Sequence, residues 1–336
     1  MDSQLPSRIL VISDTHGVNL ASGHRESVDL IIHCGDFTQE SNLDEFKQAI
    51  SLLKSLVAPL RLVIAGNHDF TLDTPVFAQK LIEANLQPPH KDKAVKQAYG
   101  DFGEARSLLD AQRDAGIIFL DEGTHEIKLS NGALLRIYAS PYIPSKAGSW
   151  GFCYDPTEGH DWKIGKDIDI VITHGPPKGI LDYKHNKQRV GCSDLFGAIA
   201  KARPLMHCFG HIHEAWGAKK VTWQDTECSD LPSHFTDMDN DNSELIESLV
   251  TLRPGKFDSP AGKKLKEEKL RKLVQTGYCY TAPTLQRGMH TLFVNAAIEG
   301  AETETQQSPW LVELDLSRNQ ENDNNMNASE TTETTM

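Results

Sequence analysis

Five short apolar runs, each closing on a cluster of polar residues, constrain this chain most tightly. Arg8–Ser13 runs into Ser13-Asp14-Thr15-His16-Gly17, and Asp29–His33 leads to Gly35-Asp36. Leu60–Ala65 is followed by Gly66-Asn67-His68-Asp69, Asp169–Thr173 by His174-Gly175-Pro176-Pro177, and Pro204–Phe209 by Gly210-His211-Ile212-His213. The runs have the length and branched composition of buried strands. Between several of them lie helical patterns, clearest over Asn42–Val57, where Leu43, Phe46, Ile50, Leu53 and Val57 share one stripe behind early acids. Strand and helix in alternation predict an α/β fold with a largely parallel core. Residues 117–139 depart from this, with short strand-like runs broken at Asp-Glu-Gly and Ser-Asn-Gly, which predicts neighbouring strands or a hairpin and so a mixed sheet. Ligands in such folds bind beyond the carboxyl ends of strands, so five clusters remote in sequence are expected to converge on one edge.

Charge and hydropathy narrow the function classes. Among 336 residues there are 34 Lys plus Arg against 47 Asp plus Glu, a formal charge of −13, which disfavours a nucleic-acid backbone as main partner. No apolar run approaches the ~18 residues of a spanning helix, and the polar start reads as neither a signal peptide nor a lipid anchor, so no membrane partner is expected. Cysteines 34, 153, 192, 208, 228 and 279 form no close pairs and read as reduced thiols, with a cytoplasmic location as the expectation.

From about 226 to 287 the pattern breaks. Residues 226–250 carry seven acids and no Lys or Arg, whereas 251–272 carry eight Lys or Arg against three acids. This predicts a partly disordered insertion with a Lys-rich helix, and a docking arm for a protein partner. Within it Asp237–Asp241 resembles the start of a calcium loop but lacks the glycine and closing glutamate that such a loop needs. Strand signal resumes at Thr291–Ala296 and Trp310–Leu316. The expected domain is therefore 7–318, interrupted by 226–287, with a disordered tail over 319–336.

The clusters are a set of hard-to-borderline ligands. Asp14, His16, Asp36, Asn67, His174, His211 and His213 offer carboxylate, carboxamide and imidazole with no thiolate, which suits Mn, Fe or Zn. Seven side chains exceed what one ion needs and fit two divalent ions sharing a carboxylate. Taken singly each is an ordinary cap or turn residue; the joint arrangement at strand ends is not.

The elements D-x-H, G-D, G-N-H-D, H and G-H-x-H stand here in order, and on them the chain resembles the calcineurin-like metallophosphoesterase superfamily. I-S-D-T-H-G, H-C-G-D-F-T, T-H-G-P-P, R-V-G-C and F-G-H-I-H-E-x-W-G make it similar to the metallophosphoesterase domain-containing group, over about 7–223 and 290–316. The resemblance implies a four-layer α-β-β-α sandwich with mixed sheets. It implies that Asp14, His16 and His213 bind one metal, that Asn67, His174 and His211 bind a second, and that Asp36 bridges them. His68 is implied as a proton or hydrogen-bond donor to the phosphoryl group, oriented by Asp69. Some members of the group carry glycine at the first His of G-H-x-H; His211 is present here, so the second set is complete.

The implied chemistry is hydrolysis of a phosphodiester by a metal-bridging hydroxide, with cyclic nucleotides among the implied substrates. Asn67, His68 and Arg189 are candidate phosphate contacts, and Trp150, Phe152 or Trp216 candidate stacking surfaces for a base. The alternatives are a phosphomonoesterase and a catalytically weak scaffold on the same fold.

Overall fold

The computed structural model describes residues 4–20, 26–146, 148, 150–226, 228–300 and 306–319. In chain order the strands and helices are β1 (Gln4–Ile12), β2 (Leu30–His33), α1 (Leu43–Ser55), β3 (Leu60–Val63), α2 (Thr74–Glu83), α3 (Lys93–Tyr99) and α4 (Glu104–Asp110). There follow β4 (Ile117–Phe119), β5 (Gly123–Lys128), β6 (Leu134–Ser140), β7 (Ile143–Pro144), β8 (Cys153–Tyr154), β9 (Ile170–Thr173), α5 (Ser193–Ala202) and β10 (Met206–Phe209). The chain continues with β11 (Gly217–Trp223), β12 (Met238–Ser248), α6 (Leu249–Leu252), α7 (Pro260–Thr276), β13 (Cys279–Thr281), β14 (His290–Asn295) and β15 (Trp310–Ser317).

These strands make two large mixed sheets. The first runs β13-β15-β1-β2-β3-β4, parallel except where β1 meets β15. The second runs β12-β11-β14-β10-β9-β6-β5, with β14, β10, β9 and β6 parallel and its two flanks antiparallel. Residues 117–139 divide between them: β4 closes one sheet, while β5 and β6 form the expected hairpin at the edge of the other.

Alternation along the strands sets the layers, because successive side chains leave a strand on opposite faces. Ile9, Val11, Leu30, Ile32 and Val312 turn one way and meet Ile137, Ile172, Cys208 and Val294 of the second sheet. Their neighbours Leu10, Ile12, Ile31 and Val63 turn the other way, onto Phe46, Ile50 and Leu53 of α1. On the far side Val171, Phe209 and Phe293 pack on Leu195, Phe196 and Ile199 of α5. Helix, sheet, sheet and helix thus stack as four layers. α1 starts as its sequence dictates: Asn42 accepts from the Glu45 amide at 3.0 Å, and Glu45 accepts from the Asn42 amide at 3.1 Å, a reciprocal cap.

The segment 226–287 is more ordered than its composition suggested. β12 lies along β11, β13 lies along β15, and α7 supplies the Lys-rich helix, its Leu270 and Leu273 resting on the inter-sheet core. Both strands are sheet edges and α7 shows most of its surface to solvent, so a polar sequence is compatible with each. In the run that resembles a calcium loop, Asp237 takes hydrogen bonds from Ser229, Ser233 and Thr236, and Asp239 from Asn242. Of the tail expected to be disordered, residues 320–336 lie outside the described residues. No helix among the described residues is long and apolar enough to cross a membrane.

Candidate metal centre

The five clusters meet at one place. β1, β2 and β3 bring theirs from the first sheet, and β9 and β10 from the second, all at the carboxyl ends of their strands. Backbone bonds stitch each set together internally: the Asp14 amide donates to Gly35 O at 2.9 Å within the first, and the Gly210 amide to His174 O at 2.9 Å within the second. His33 lies beneath. Its Nδ1 accepts from the Gly35 amide at 3.2 Å, so its Nε2 donates to the Thr15 hydroxyl at 3.0 Å, which steadies two of the loops.

The backbone bends sharply under the candidate ligands. Asp14, His16, Asp36 and His211 all have positive φ, at 53°, 45°, 56° and 67°. Residues with side chains seldom take this conformation unless the surroundings impose it, and such strain gathers at functional sites. Two glycines let the loops come close. A Cβ at Gly66 would overlap the Asp36 carboxylate, and one at Gly210 would overlap Asp14 and Ser13.

Three overlapping groups result. Asp14, His16 and His213 form one, Asp36, His174 and His211 a second, and His16, Asp36 and His68 a third; within each, one ligand atom per residue lies within 4.8 Å of the others. Asp36 Oδ2 is 3.2 Å from His174 Nε2 and 3.9 Å from His16 Nε2, which puts it between the sets. Asn67 Oδ1 is 3.0 Å from His174 Nε2. Both key carboxylates are fixed by main-chain donors: His68 N to Asp36 Oδ1 at 2.7 Å, and His211 N to both oxygens of Asp14 at 3.0 Å.

The donor set fits divalent cations. His174 Nδ1 donates to Cys34 O at 2.9 Å and His16 Nδ1 to Thr38 O at 3.0 Å. A carbonyl on Nδ1 leaves the lone pair on Nε2, the arrangement of a metal-ligating histidine. In His174 that lone pair faces the Asp36 carboxylate and the Asn67 carbonyl oxygen. Three electron-rich atoms at such distances need a cation among them. Without a metal the proton serves: burial pulls His174 down, but Asp36 outweighs it and raises the ring to about 9. Burial likewise pushes Asp14 up, and His213, His174 and His16 overcome it, so its carboxyl stays well below the ordinary range. Burial, then His174, lowers His211 to about 3 and keeps it a neutral imidazole.

A family model described as calcineurin-like phosphoesterase matches residues 7–215. The chain belongs to the calcineurin-like phosphoesterase family. It is 34% identical over 220 residues to metallophosphoesterase domain-containing protein 1 of Homo sapiens, covering 63% of this chain and 62% of that protein. It is 33% identical over 221 residues to a protein of Emericella nidulans named probable rhamnogalacturonate lyase C, covering 64% of this chain and 18% of that one. The chain thus spans less than two thirds of the length of either relative. A purple acid phosphatase from yellow lupin seeds aligns at TM-score 0.35 and 12% identity, over 91% of this chain and 46% of its own.

Within this family member, several expected roles fall differently. Asp69 does not touch the His68 ring. Its buried carboxylate accepts from the amides of Gly66, Phe37 and Thr38 and from the Thr38 hydroxyl, between 2.8 and 3.2 Å, and so ties the G-D-F-T loop to the G-N-H-D loop. What orients His68 is Gln39, whose carbonyl accepts from Nδ1 at 2.8 Å, and Trp150, whose ring lies 4.2 Å from the imidazole centroid to centroid. Arg189 is engaged by Asp182 at 2.7 Å and lies over Tyr183. It neutralises a buried carboxylate that also takes the Gly179 and Gly191 amides, and so supports the T-H-G-P-P loop. Trp216 is buried against Trp310 and offers no stacking surface; Trp150 stands beside His68.

One neighbour of the centre was not anticipated. Glu299 Oε2 lies 3.2 Å from His16 Nε2 and 4.0 Å from His213 Nδ1. A signal for it exists. β14 runs parallel to β10, so its carboxyl end reaches the same edge, and Asn295-Ala296-Ala297-Ile298-Glu299 follows from it. The acid stands four residues past the strand, as His16 and His213 do past theirs, but no histidine accompanies it, and it reads as a loop residue.

Proposed function

We propose that this protein is a metal-dependent phosphoester hydrolase, and that its substrate is a phosphodiester of nucleotide type. The observation that carries the reading is the sharing of Asp36 between two His/Asp groups, with His68 at their open side. Asp14, Asp36 and His174 are buried, while the His213 side chain is 23% exposed. A centre closed below and open to solvent above suits catalysis better than structural binding.

In this reading Asp14, His16 and His213 hold one divalent cation, Asn67, His174 and His211 a second, and Asp36 serves both. Such cations supply Lewis acidity toward phosphoryl oxygens and a water acidic enough to attack at neutral pH. The protein's own groups do the remainder. Amides of His68 and His211 keep the two carboxylates from turning. His68, held through Nδ1 by Gln39, directs Nε2 into the open side, where in its protonated form it can give a proton to the leaving oxygen. Asn67, its Oδ1 3.0 Å from His174 Nε2, would help hold the second cation and would leave its amide nitrogen free to donate to a phosphoryl oxygen.

A flat substituent on the substrate finds support beside this centre. Trp150, Phe70, Phe77 and Tyr99 line a cavity of about 330 Å³, and Lys80 Nζ stands 4.5 Å from the ring centroids of both Phe70 and Trp150. Glu40 and Glu83 also line this cavity, so its aromatic surface with acceptors at the rim suits a nucleobase, while the phosphate stays at the cation centre. The test is turnover of bis(p-nitrophenyl) phosphate against p-nitrophenyl phosphate by Mn²⁺-loaded protein, followed by 2′,3′- and 3′,5′-cyclic nucleotides. The expected result is a preference for the diester; a preference for the monoester would overturn the substrate class.

A further inference from the structure

We propose that Glu299 is an additional carboxylate ligand of this centre, acting on the cation held by Asp14, His16 and His213. The proposal rests on the reading of the centre as a divalent-cation site and goes beyond the ligand set legible in the sequence.

The main chain of Glu299 is tied to both segments that carry those ligands. Ile298 N donates to Ser13 O at 2.8 Å and Glu299 N to Asp14 O at 3.1 Å. The Gln307 carboxamide donates to Glu299 O at 3.0 Å and to His213 O at 2.8 Å, clamping the two together. The carboxylate is therefore delivered to its position by the fold rather than by a free side chain reaching across the surface.

The decisive atom is His16 Nε2. Because Nδ1 donates to Thr38 O, the neutral ring presents its lone pair at Nε2. That nitrogen is buried and has no hydrogen-bond partner, although Glu299 Oε2 lies 3.2 Å away. The two atoms are close but not aligned for an N–H···O bond. A lone pair and a carboxylate oxygen facing each other at this distance repel unless a cation off the line between them binds both. The same pattern occurs at His174, where Nδ1 is taken by a carbonyl and Nε2 faces Asp36. Glu299 thus stands to His16 as Asp36 stands to His174.

A third carboxylate changes the charge of the site. Glu299 would lower the positive charge of the site by one beyond what Asp14 and Asp36 neutralise, which favours a singly charged phosphodiester over a doubly charged phosphomonoester. Glu299 is then a specificity-determining residue as well as a ligand.

Mn²⁺ binding to chelator-stripped, full-length protein, measured by titration calorimetry in wild type, Glu299→Gln and Glu299→Asp, tests this without any substrate. Glutamine is isosteric and the side chain is 37% exposed, so the fold is retained, which circular dichroism of the metal-free proteins checks. The expected result is loss of about tenfold or more in one of two affinities for Glu299→Gln, the other unchanged, with Glu299→Asp intermediate. The ratio of diester to monoester turnover then falls in Glu299→Gln. Two affinities equal to wild type in Glu299→Gln would overturn the proposal. Wild type that binds no Mn²⁺ would overturn it together with the cation reading, whereas wild type that binds metal but hydrolyses neither phosphate would count against the proposed function alone.

Discussion

His68 is the residue whose surroundings most clearly separate holding a metal from using one. Its amide fixes Asp36, its Nδ1 is spent on Gln39, and its ring lies tilted against Trp150, so Nε2 is the ring nitrogen left for the centre. Truncation to alanine removes the ring but keeps the amide that orients Asp36. His68→Ala is therefore expected to keep the metal content of wild type and to lose about 10²–10⁴ in kcat, the usual size for a proton-transfer group. Metal analysis beside steady-state kinetics checks both halves; a parallel loss of metal would make His68 a ligand. Such residues were legible in the sequence because each sits within a few positions of a strand end. Asp69 and Arg189 were misread for a related reason. Their spacing placed them beside the right motifs, but their partners, Thr38 and Asp182, are set by how loops fold over one another. Glu299 was missed because its approach to His16 is purely spatial.

The strands and helices that carry the centre were readable where hydrophobic periodicity is strong, as in α1 and the five buried runs. In 226–287 the Lys-rich helix was readable and stands as α7, but β12 and β13 were not, because both are edge strands with one polar side. The loop leading into β12 depends on a single carboxylate. Burial alone pushes the Asp237 carboxyl up, but hydrogen bonds from Thr236, Ser229 and Ser233 at 2.6–2.9 Å outweigh it and hold it well below the ordinary range. A group whose folded pKa is depressed stabilises the fold above its unfolded pKa and loses that contribution as the pH falls through the folded value. Asp237→Asn is thus expected to cost about 1–3 kcal/mol at pH 7. The difference from wild type should shrink as the pH drops below about 4, the unfolded value of an aspartate. Urea midpoints of both proteins at pH 7 and pH 3.5 give the comparison. A gap that is unchanged or wider in acid would show that the loop does not draw on the ionised carboxylate.

The centre exists because two sheets are held face to face. Neither sheet has the complete set: Asp14, His16, Asp36 and Asn67 come from the first, and His174, His211 and His213 from the second. That division was not legible in the sequence, since the buried strands of both sheets read alike and pairing is decided by contacts remote along the chain. One clamp between the sheets lies close to the site. Trp216, just past the G-H-I-H turn, stacks on Trp310 of β15 with centroids 5.0 Å apart, and its indole donates to Ser308 O at 3.0 Å. Both rings are fully buried. Trp310→Ala leaves a large cavity there and is expected to cost about 3–5 kcal/mol, measured as a fall in the urea midpoint. Metal affinity should fall with it, because the two halves of the centre are no longer held in register; an unchanged midpoint would mean that the sheets are joined elsewhere.

Asp36 joins those halves, and the most direct measurement turns on it. Chelator-stripped wild type and Asp36→Asn would be titrated with Mn²⁺ while hydrolysis of bis(p-nitrophenyl) phosphate is followed. The expected result is a wild-type rate that rises from near zero to a plateau at about two equivalents of metal, with weak binding and no turnover in Asp36→Asn. Hydrolysis that does not depend on added metal, or a mutant that matches wild type, would contradict a shared-carboxylate metal centre as the seat of the chemistry.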